Sequence, residues 1–231
     1  METHRGVLAE LLDLILPVAA IDGSKTGNSR FSGRYGFLEK PTRIRLRVLD
    51  PAIPTVPGLA CPDLTLAADN FSRLQLAVRR VFITENETNF LAFPQVSDAI
   101  VIFGAGYGWD GLARSQWLRA CALYYGGDID THGFAILARL RSYFGHVESL
   151  LMDSATLDAH AAFWGREDKP LVLDLHRLTP EERALYRDLR DNRIQAGLRL
   201  EQEHIGFHWL AHRLEQLLDG TSAPIQVSPT R

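Results

Sequence analysis

Short apolar runs alternate with amphipathic segments over the central part of this 231-residue chain. The apolar runs occupy residues 80–84, 99–103, 121–125 and 146–152, and segments with helical spacing of apolar residues occupy 87–93, 111–120 and 133–143. Strands that are apolar on both faces and separated by helices are typical of βαβ units. The pattern therefore predicts an α/β domain with a mostly parallel sheet flanked by helices.

The two ends of the chain have a different pattern. Residues 5–16 predict an amphipathic helix, "RIRLRV" at 43–48 predicts a strand, and the proline-rich stretch 49–63 predicts a connector. Further helices are predicted at 156–164, 180–190 and 201–218, the second of them capped by Thr179 with Pro180 at its first position. We therefore divide the chain into an N-terminal helix and strand extension, residues 1–66, and an α/β domain with C-terminal helices, residues 67–231.

The composition indicates a cytoplasmic protein with a substantial core and no membrane span. Hydrophobic residues make up 46% of the chain, which is enough for a core in a domain of this size. Glu10 and Asp13 interrupt the N-terminal apolar run, and no stretch reaches the roughly 20 apolar residues that a spanning helix needs. The two cysteines lack the spacing of a zinc knuckle or a disulfide framework.

Positive charge is concentrated near the N-terminus, although the net charge is -3. Between residues 24 and 48 there are seven basic residues and one acidic residue. In the predicted strand, Arg43, Arg45 and Arg47 share one face because side chains alternate with a period of two. This face is either an ordinary solvated surface or a strip that contacts DNA phosphates, and the sequence leaves both interpretations open.

Carboxylates follow two of the predicted strands. Glu85 comes directly after the run at 80–84, and Asp128 and Asp130 come after the run at 121–125. The carboxyl ends of parallel strands converge at one edge of a sheet, and an i, i+2 pair in extended backbone points to one side. Grouped carboxylates repel one another unless a cation lies between them, and oxygen ligands suit Mg²⁺ or Mn²⁺. Alternatively, the aspartates cap a helix that begins near Gly133.

Several of these segments together resemble a known family. "VFITENETNFLAF" followed by "GDIDTHGFAI" resembles the Toprim domain of topoisomerases, primases and related nucleases, including the Toprim domain of topoisomerase VI. With "LLMDSATLDAH" and "LRLEQE" added, the stretch from about Tyr35 to about Leu218 is similar to the C-terminal domain of the Wadjet JetD proteins. The resemblance implies a Toprim-type, Rossmann-like fold in the nuclease component of an SMC-like bacterial defence system against plasmids.

The resemblance also implies a site and partners. Glu85, Asp128 and Asp130 fall on the family's metal-binding acids, which use Mg²⁺ or Mn²⁺ to cleave phosphodiester bonds in DNA. SMC-like subunits are the implied protein partners, and a homodimer would suit the cutting of both DNA strands. The family usually carries a further N-terminal region that contacts DNA, so we expect partners to sense DNA topology. No winged-helix region with a nucleophilic tyrosine is evident, which favours hydrolysis over transesterification.

Other patterns support competing hypotheses. Gly106, Gly108 and Gly111 have the spacing of a dinucleotide-binding loop, although a strand ending in Glu85 precedes them and the acidic pair is not the expected lone residue. His132 is predicted either to contact phosphate or donate a proton, or to form a hydrogen bond at a helix start. The last hypothesis is a non-catalytic interaction module that docks an SMC-like complex.

A histidine series offers one more interpretation. His204, His208 and His212 are spaced by four residues, which on a continuous helix would place them on one face. Such a face is either an exposed polar surface or a zinc site with Glu201 nearby. Glu201 and Glu203 also belong to the segment "LRLEQE", and their role stays open.

Overall fold

A computed structural model describes residues 4–27, 30–38, 41–104 and 109–220. The chain forms two compact units, Met1–Pro41 and Thr42–Arg231. In the part of the chain that the structure describes, no helix has the length and apolar character needed to cross a membrane.

The strands form one large sheet and one small sheet. In chain order they are β1 Arg43–Val48, β2 Asp63–Ala67, β3 Arg80–Thr84, β4 Ala99–Phe103, β5 Ala122–Gly126, β6 Glu148–Ser149, β7 Gly165–Arg166 and β8 Leu198–Arg199. The six-stranded sheet has the order β2-β1-β4-β3-β5-β6, and β7 pairs with β8. Strands β3 and β5 are parallel to both of their neighbours, whereas β1 is antiparallel to β2 and β4.

Helices lie before these strands, between them and after them. They are α1 Arg5–Ile15, α2 Phe31–Arg34, α3 Ala68–Ser72, α4 Glu87–Ala92, α5 Trp109–Ala113, α6 Thr131–Tyr143, α7 Ser154–Ala159, α8 Pro180–Arg190 and α9 Phe207–Gly220. Helix α8 has the predicted bounds, because Thr179 and Glu182 form a capping box and Pro180 occupies its first turn. The α/β class with a mostly parallel sheet flanked by helices is confirmed.

Strands β3 and β4 form the centre of the core. Val81, Phe82 and Ile83 of β3 and Ala99 to Ile102 of β4 are 0–2% exposed. A strand whose two faces are both covered needs apolar side chains at successive positions, which explains the continuous apolar runs. By contrast, β1 alternates between buried aliphatic residues and arginines that are at least partly exposed.

The structure differs from the sequence prediction in several places, and three of them bear on the site or on the division into units. Strand β1, which the sequence pattern assigns to the N-terminal extension, belongs to the larger unit because it is hydrogen-bonded to β2 and β4. The continuous helix predicted at 201–218 is wrong. Residues 202–204 form a 3₁₀ turn and α9 begins only at Phe207, because Ile205 between them has extended backbone. The strand predicted at 146–152 is reduced to β6.

The smaller unit has its own polar and aromatic contacts. Asp13 on α1 accepts hydrogen bonds from Arg34 at 2.9 Å and from the Tyr35 hydroxyl at 2.9 Å. These bonds lower the pKa of Asp13, and the bond from Tyr35 has a larger effect than the bond from Arg34. Phe31 packs edge-on against Tyr35, with ring centroids 5.0 Å apart. These contacts link α1 to α2 within this unit.

Candidate metal centre

The three predicted acids lie at one edge of the large sheet. Glu85 follows β3, and Asp128 and Asp130 follow β5, its parallel neighbour, in which Gly126 is paired with Thr84. The strand ends converge on an open cleft of about 460 Å³. Its lining residues are Glu85, Asp128, Asp130, His132, Gly133, Glu167, Asp168, Lys169 and Arg199. The predicted convergence of the three carboxylates on one cleft is therefore observed.

Glu85 is half-buried beside Tyr125. The Tyr125 hydroxyl is fully buried and, within the described part of the chain, makes no hydrogen bond of good geometry. A Cβ atom on Gly127 would lie 2.3 Å from this hydroxyl and 3.3 Å from Glu85 Oε2, so only glycine allows the close approach. Burial, followed by the charge of Asp128, raises the pKa of Glu85 to about 7, although the nearby Tyr125 hydroxyl partly offsets the rise. Glu85 is therefore a carboxylate in an unfavourable environment that a cation would relieve.

Asp130 has two roles at once. It is 4% exposed, and its Oδ1 accepts the Gly133 N–H at 2.7 Å as the N-cap of α6. Burial raises its pKa to about 6, although the Gly133 hydrogen bond partly offsets that effect. The capping interpretation is thus confirmed for Asp130. Its Oδ2 faces Arg199, whose Nε lies 3.4 Å away.

Asp128 is held from the C-terminal part of the chain. Ile129 and Leu200 exchange backbone hydrogen bonds of 2.9 and 3.1 Å, so residues 199–202 lie antiparallel to the aspartate pair. In this register Arg199 donates to Asp128 Oδ2 through Nη2 at 2.6 Å and Nε at 3.2 Å. The Gln202 N–H donates to Asp128 Oδ1 at 2.8 Å. Arg199 thus belongs to the site, although it was not among the residues predicted for it.

Gln202 connects the two acidic strand ends. Its side-chain oxygen accepts the Thr84 hydroxyl at 2.7 Å at the end of β3, and its own N–H binds Asp128 beyond β5. Its backbone carbonyl accepts the Asn89 amide at 3.1 Å. Gln202 was not among the residues predicted for the site, although its neighbours Glu201 and Glu203 were considered. The only sequence feature that pointed to Gln202 is the segment "LRLEQE", which contains it. A buried glutamine needs hydrogen-bond partners for its amide, and here they lie on distant segments.

The neighbouring glutamates lie at the rim of the site. Glu203 accepts the Asn86 amide at 2.9 Å, and Glu201 lies 3.3 Å from Arg199 Nη1. Potential metal ligands lie within 4.8 Å of one another in Glu201, Glu203 and His204. Among the residues that the structure describes, no other three potential ligands are grouped this closely. His204 lies in the 3₁₀ turn before α9, so the predicted stacking of three histidines on one helix is wrong.

His132 lies at the edge of the cleft. Its Nε2 is 3.0 Å from the Lys169 carbonyl oxygen and 3.5 Å from Glu167 Oε1. Glu167 is 6% exposed and accepts the Thr131 hydroxyl at 2.8 Å. Glu167 was not predicted for the site, because only the fold brings it from beyond β7 to the start of α6. The catalytic role of His132 stays a prediction, and its ring is oriented by these contacts.

The arginine strand has mostly internal partners. Arg45 bonds to Asp63 and to Glu87, and its guanidinium lies 4.8 Å from the Phe90 ring centroid. Arg47 donates to the Phe93 carbonyl. Arg43 is exposed. The predicted DNA-binding strip therefore stays a prediction, with Arg43 as the member whose side chain is most accessible to a phosphate.

The dinucleotide-binding hypothesis rests partly on residues outside the described ranges. Gly106 and Gly108 both lie outside the residues that the structure describes. Gly111 lies in α5, where an added Cβ would be 3.0 Å from the Ala68 Cβ and 3.4 Å from Ile44. This glycine therefore allows close packing of α5 against α3 and β1.

The chemistry of the donor set suits a hard divalent cation, but Glu85, Asp128 and Asp130 do not bring three ligand atoms within 4.8 Å of one another, as Glu201, Glu203 and His204 do. Three carboxylates converge on the cleft, and two of them have raised pKa values. Mg²⁺ keeps several of its waters and needs only one or two carboxylates from the protein, so a closed cage is not required. The buried Tyr125 hydroxyl, which makes no hydrogen bond of good geometry in the described part of the chain, lies beside Glu85.

Comparisons with known proteins add one finding. A family model described as Wadjet protein JetD, C-terminal, matches residues 36–214. No curated protein matches the chain. The matched range contains the three carboxylates, Arg199 and Gln202, together with strands β1 to β8.

Proposed function

Since the chain belongs to the family of C-terminal domains of the Wadjet protein JetD, we propose that it is a divalent-metal-dependent DNA nuclease of a Wadjet-like plasmid-defence system. The observation that carries this proposal is the convergence of Glu85, Asp128 and Asp130 on one open cleft at the carboxyl ends of β3 and β5. Such a cleft is accessible to a polymer backbone, whereas an enclosed pocket is not.

Glu85, Asp128 and Asp130 would hold the metal. A bound Mg²⁺ or Mn²⁺ would polarise a phosphate oxygen and lower the pKa of water for hydrolysis. The protein supplies the placement: Gln202 ties the two strand ends together, and the start of α6 fixes Asp130. His132, oriented by the Lys169 carbonyl, is the candidate to contact phosphate or to protonate the leaving oxygen.

The proposed partners follow from the family. DNA is the substrate, SMC-like subunits of the defence complex are the protein partners, and a two-fold homodimer would place two clefts on opposite strands. We propose a cytoplasmic location, where plasmid DNA is found. The exposed Arg43 would add a phosphate contact outside the cleft.

Metal binding by variants tests the proposal. Mn²⁺ affinity would be measured by electron paramagnetic resonance for the wild type, Asp128→Asn and Glu85→Gln, and plasmid cleavage would be followed in Mg²⁺. We expect each variant to lose most of its Mn²⁺ affinity and its cleavage, because each lacks one anionic ligand. Asp174→Asn is the matched control, since Asp174 is exposed and pairs with Arg190.

The competing interaction module predicts a different result. In that case Asp128→Asn and Glu85→Gln would leave Mn²⁺ binding and assembly with the partner proteins unchanged. Unaltered Mn²⁺ affinity in both variants would therefore reject the nuclease proposal, independently of whether cleavage requires a partner.

A further inference from the structure

Arg199 occupies a central position at the candidate metal centre. Its guanidinium contacts Asp128, lies 3.4 Å from Asp130 and lies 3.3 Å from Glu201. Its side chain is nonetheless 34% exposed and lines the open cleft. We propose that Arg199 is the phosphate-binding residue of this cleft, which rests on the proposed nuclease function and identifies the group that contacts the scissile phosphate.

The hydrogen-bonding capacity of Arg199 is only partly used. A guanidinium carries five N–H groups in a planar fork. Asp128 takes one from Nε and one from Nη2, and Glu201 lies against Nη1. These contacts leave one N–H on each terminal nitrogen, and the partial exposure of the side chain gives them access to the cleft. Charged guanidinium N–H groups are strong donors to phosphate oxygens.

The charge of the cleft supports this assignment. The acidic residues among its lining are Glu85, Asp128, Asp130, Glu167 and Asp168, whereas the basic residues are Lys169 and Arg199. A phosphodiester entering such a cleft meets net negative charge, so a fixed cation beside the acids is needed in addition to metal. Lys169 is exposed on the loop after β7, whereas Arg199 is anchored on β8 by the acids themselves.

The anchoring also makes Arg199 rigid. Strand β8 pairs with β7, and the next residue, Leu200, exchanges both of its backbone hydrogen bonds with Ile129, which lies between the two aspartates. The backbone of Arg199 is therefore fixed relative to the carboxylates. A donor that is already oriented costs little reorganisation when charge develops on the phosphate.

Two measurements on Arg199→Gln test the proposal. The first is Mn²⁺ affinity without DNA, and the second is the affinity for a short DNA duplex in Ca²⁺ over a series of salt concentrations. Removing a positive charge beside Asp128 should tighten Mn²⁺ binding on the order of tenfold. It should also weaken duplex binding and reduce the salt slope by about one, as expected for a lost phosphate contact. Cleavage should fall on the order of a hundredfold.

Two further variants keep the test interpretable. Arg199→Lys retains the charge but not the fork, so it should keep the wild-type Mn²⁺ affinity and cleave more slowly. Arg199→Lys also keeps the proposal testable if Arg199→Gln does not fold. Arg193→Gln is the matched control, because Arg193 likewise bridges two aspartates, Asp188 and Asp191, and does not line the cleft.

The outcomes separate this inference from the proposed function. If Arg199→Gln weakens Mn²⁺ binding, the arginine only positions Asp128 for the metal, and the inference is wrong. Unchanged duplex affinity and salt slope would also overturn it, while the nuclease proposal would stand. If the wild-type protein itself binds no Mn²⁺, the proposed function and the inference fail together.

Discussion

Replacing Gly133 by alanine is expected to destabilise the domain, although helix propensity alone predicts the opposite. Gly133 lies in the first turn of α6, where it donates its N–H to Asp130. In an ordinary helix position alanine is more stable than glycine by roughly 1 kcal/mol. Here, however, the added Cβ would lie 2.1 Å from the Asp128 carbonyl oxygen and 3.3 Å from Met152. The fold therefore decides the sign of the effect.

The magnitude follows from that distance. Cβ contacts shorter than 3.0 Å essentially do not occur, so the backbone at Asp128 and the start of α6 must separate by about 0.9 Å. Overpacking costs about 1–3 kcal/mol, and a clash this short with backbone lies in the upper part of that range, about 2–3 kcal/mol; subtracting the propensity gain of about 1 kcal/mol leaves a net loss of about 1–2 kcal/mol. For a domain of this size the midpoint of thermal unfolding should fall by about 2–8 °C.

Thermal and urea unfolding of Gly133→Ala measure this loss. Gly145→Ala is the control, because an added Cβ there meets nothing within 4 Å and the backbone is not left-handed. The control should unfold at the wild-type midpoint or slightly above it. Since Asp128 must shift, Gly133→Ala should also bind Mn²⁺ less tightly. Equal midpoints for the two variants would refute the reasoning.

Three more predictions concern charged groups. Glu182→Gln should lower the free energy of unfolding by about 3 kcal/mol, because it leaves the buried Arg141 guanidinium without its carboxylate. Burial alone would raise the pKa of Glu182, but the bonds from Arg141 and the Thr179 N–H lower it. The loss of unfolding free energy in Glu182→Gln should therefore be constant above pH 4.5. It should disappear as the pH falls through the lowered pKa of Glu182, where the wild-type side chain also becomes neutral. Protons would compete with metal for the carboxylates of Glu85 and Asp130, whose pKa values are about 7 and about 6. Mn²⁺ affinity should therefore rise between about pH 6 and 7 and become constant above pH 7. An affinity that does not change with pH would contradict the raised pKa values. Arg43→Gln should reduce the salt slope of DNA binding by about one if the strand contacts DNA, and an unchanged slope would exclude that contact.

The strand pattern and the acidic strand ends could be predicted from the sequence. Continuous apolar runs are visible without coordinates because strands covered on both faces need them. Glu85, Asp128 and Asp130 could be grouped because parallel strands end at one sheet edge. The helix α8 was predictable to the residue because its capping box is local in sequence. These features depend on near neighbours or on a general rule of sheet topology.

The second layer of the site depended on contacts between distant parts of the chain. Arg199 and Gln202 reach Asp128 from more than 70 residues away, through the pairing of Leu200 with Ile129. The predicted helix at 201–218 is also interrupted, since Ile205 has extended backbone between α9 and the 3₁₀ turn, in which Gln202 bonds to Asp128 and Thr84. Sequence alone thus determined which residue types end the strands, because that chemistry is local. Only the tertiary structure decided which side chains hold those acids in place, because hydrogen bonds between distant segments depend on how the whole sheet is assembled.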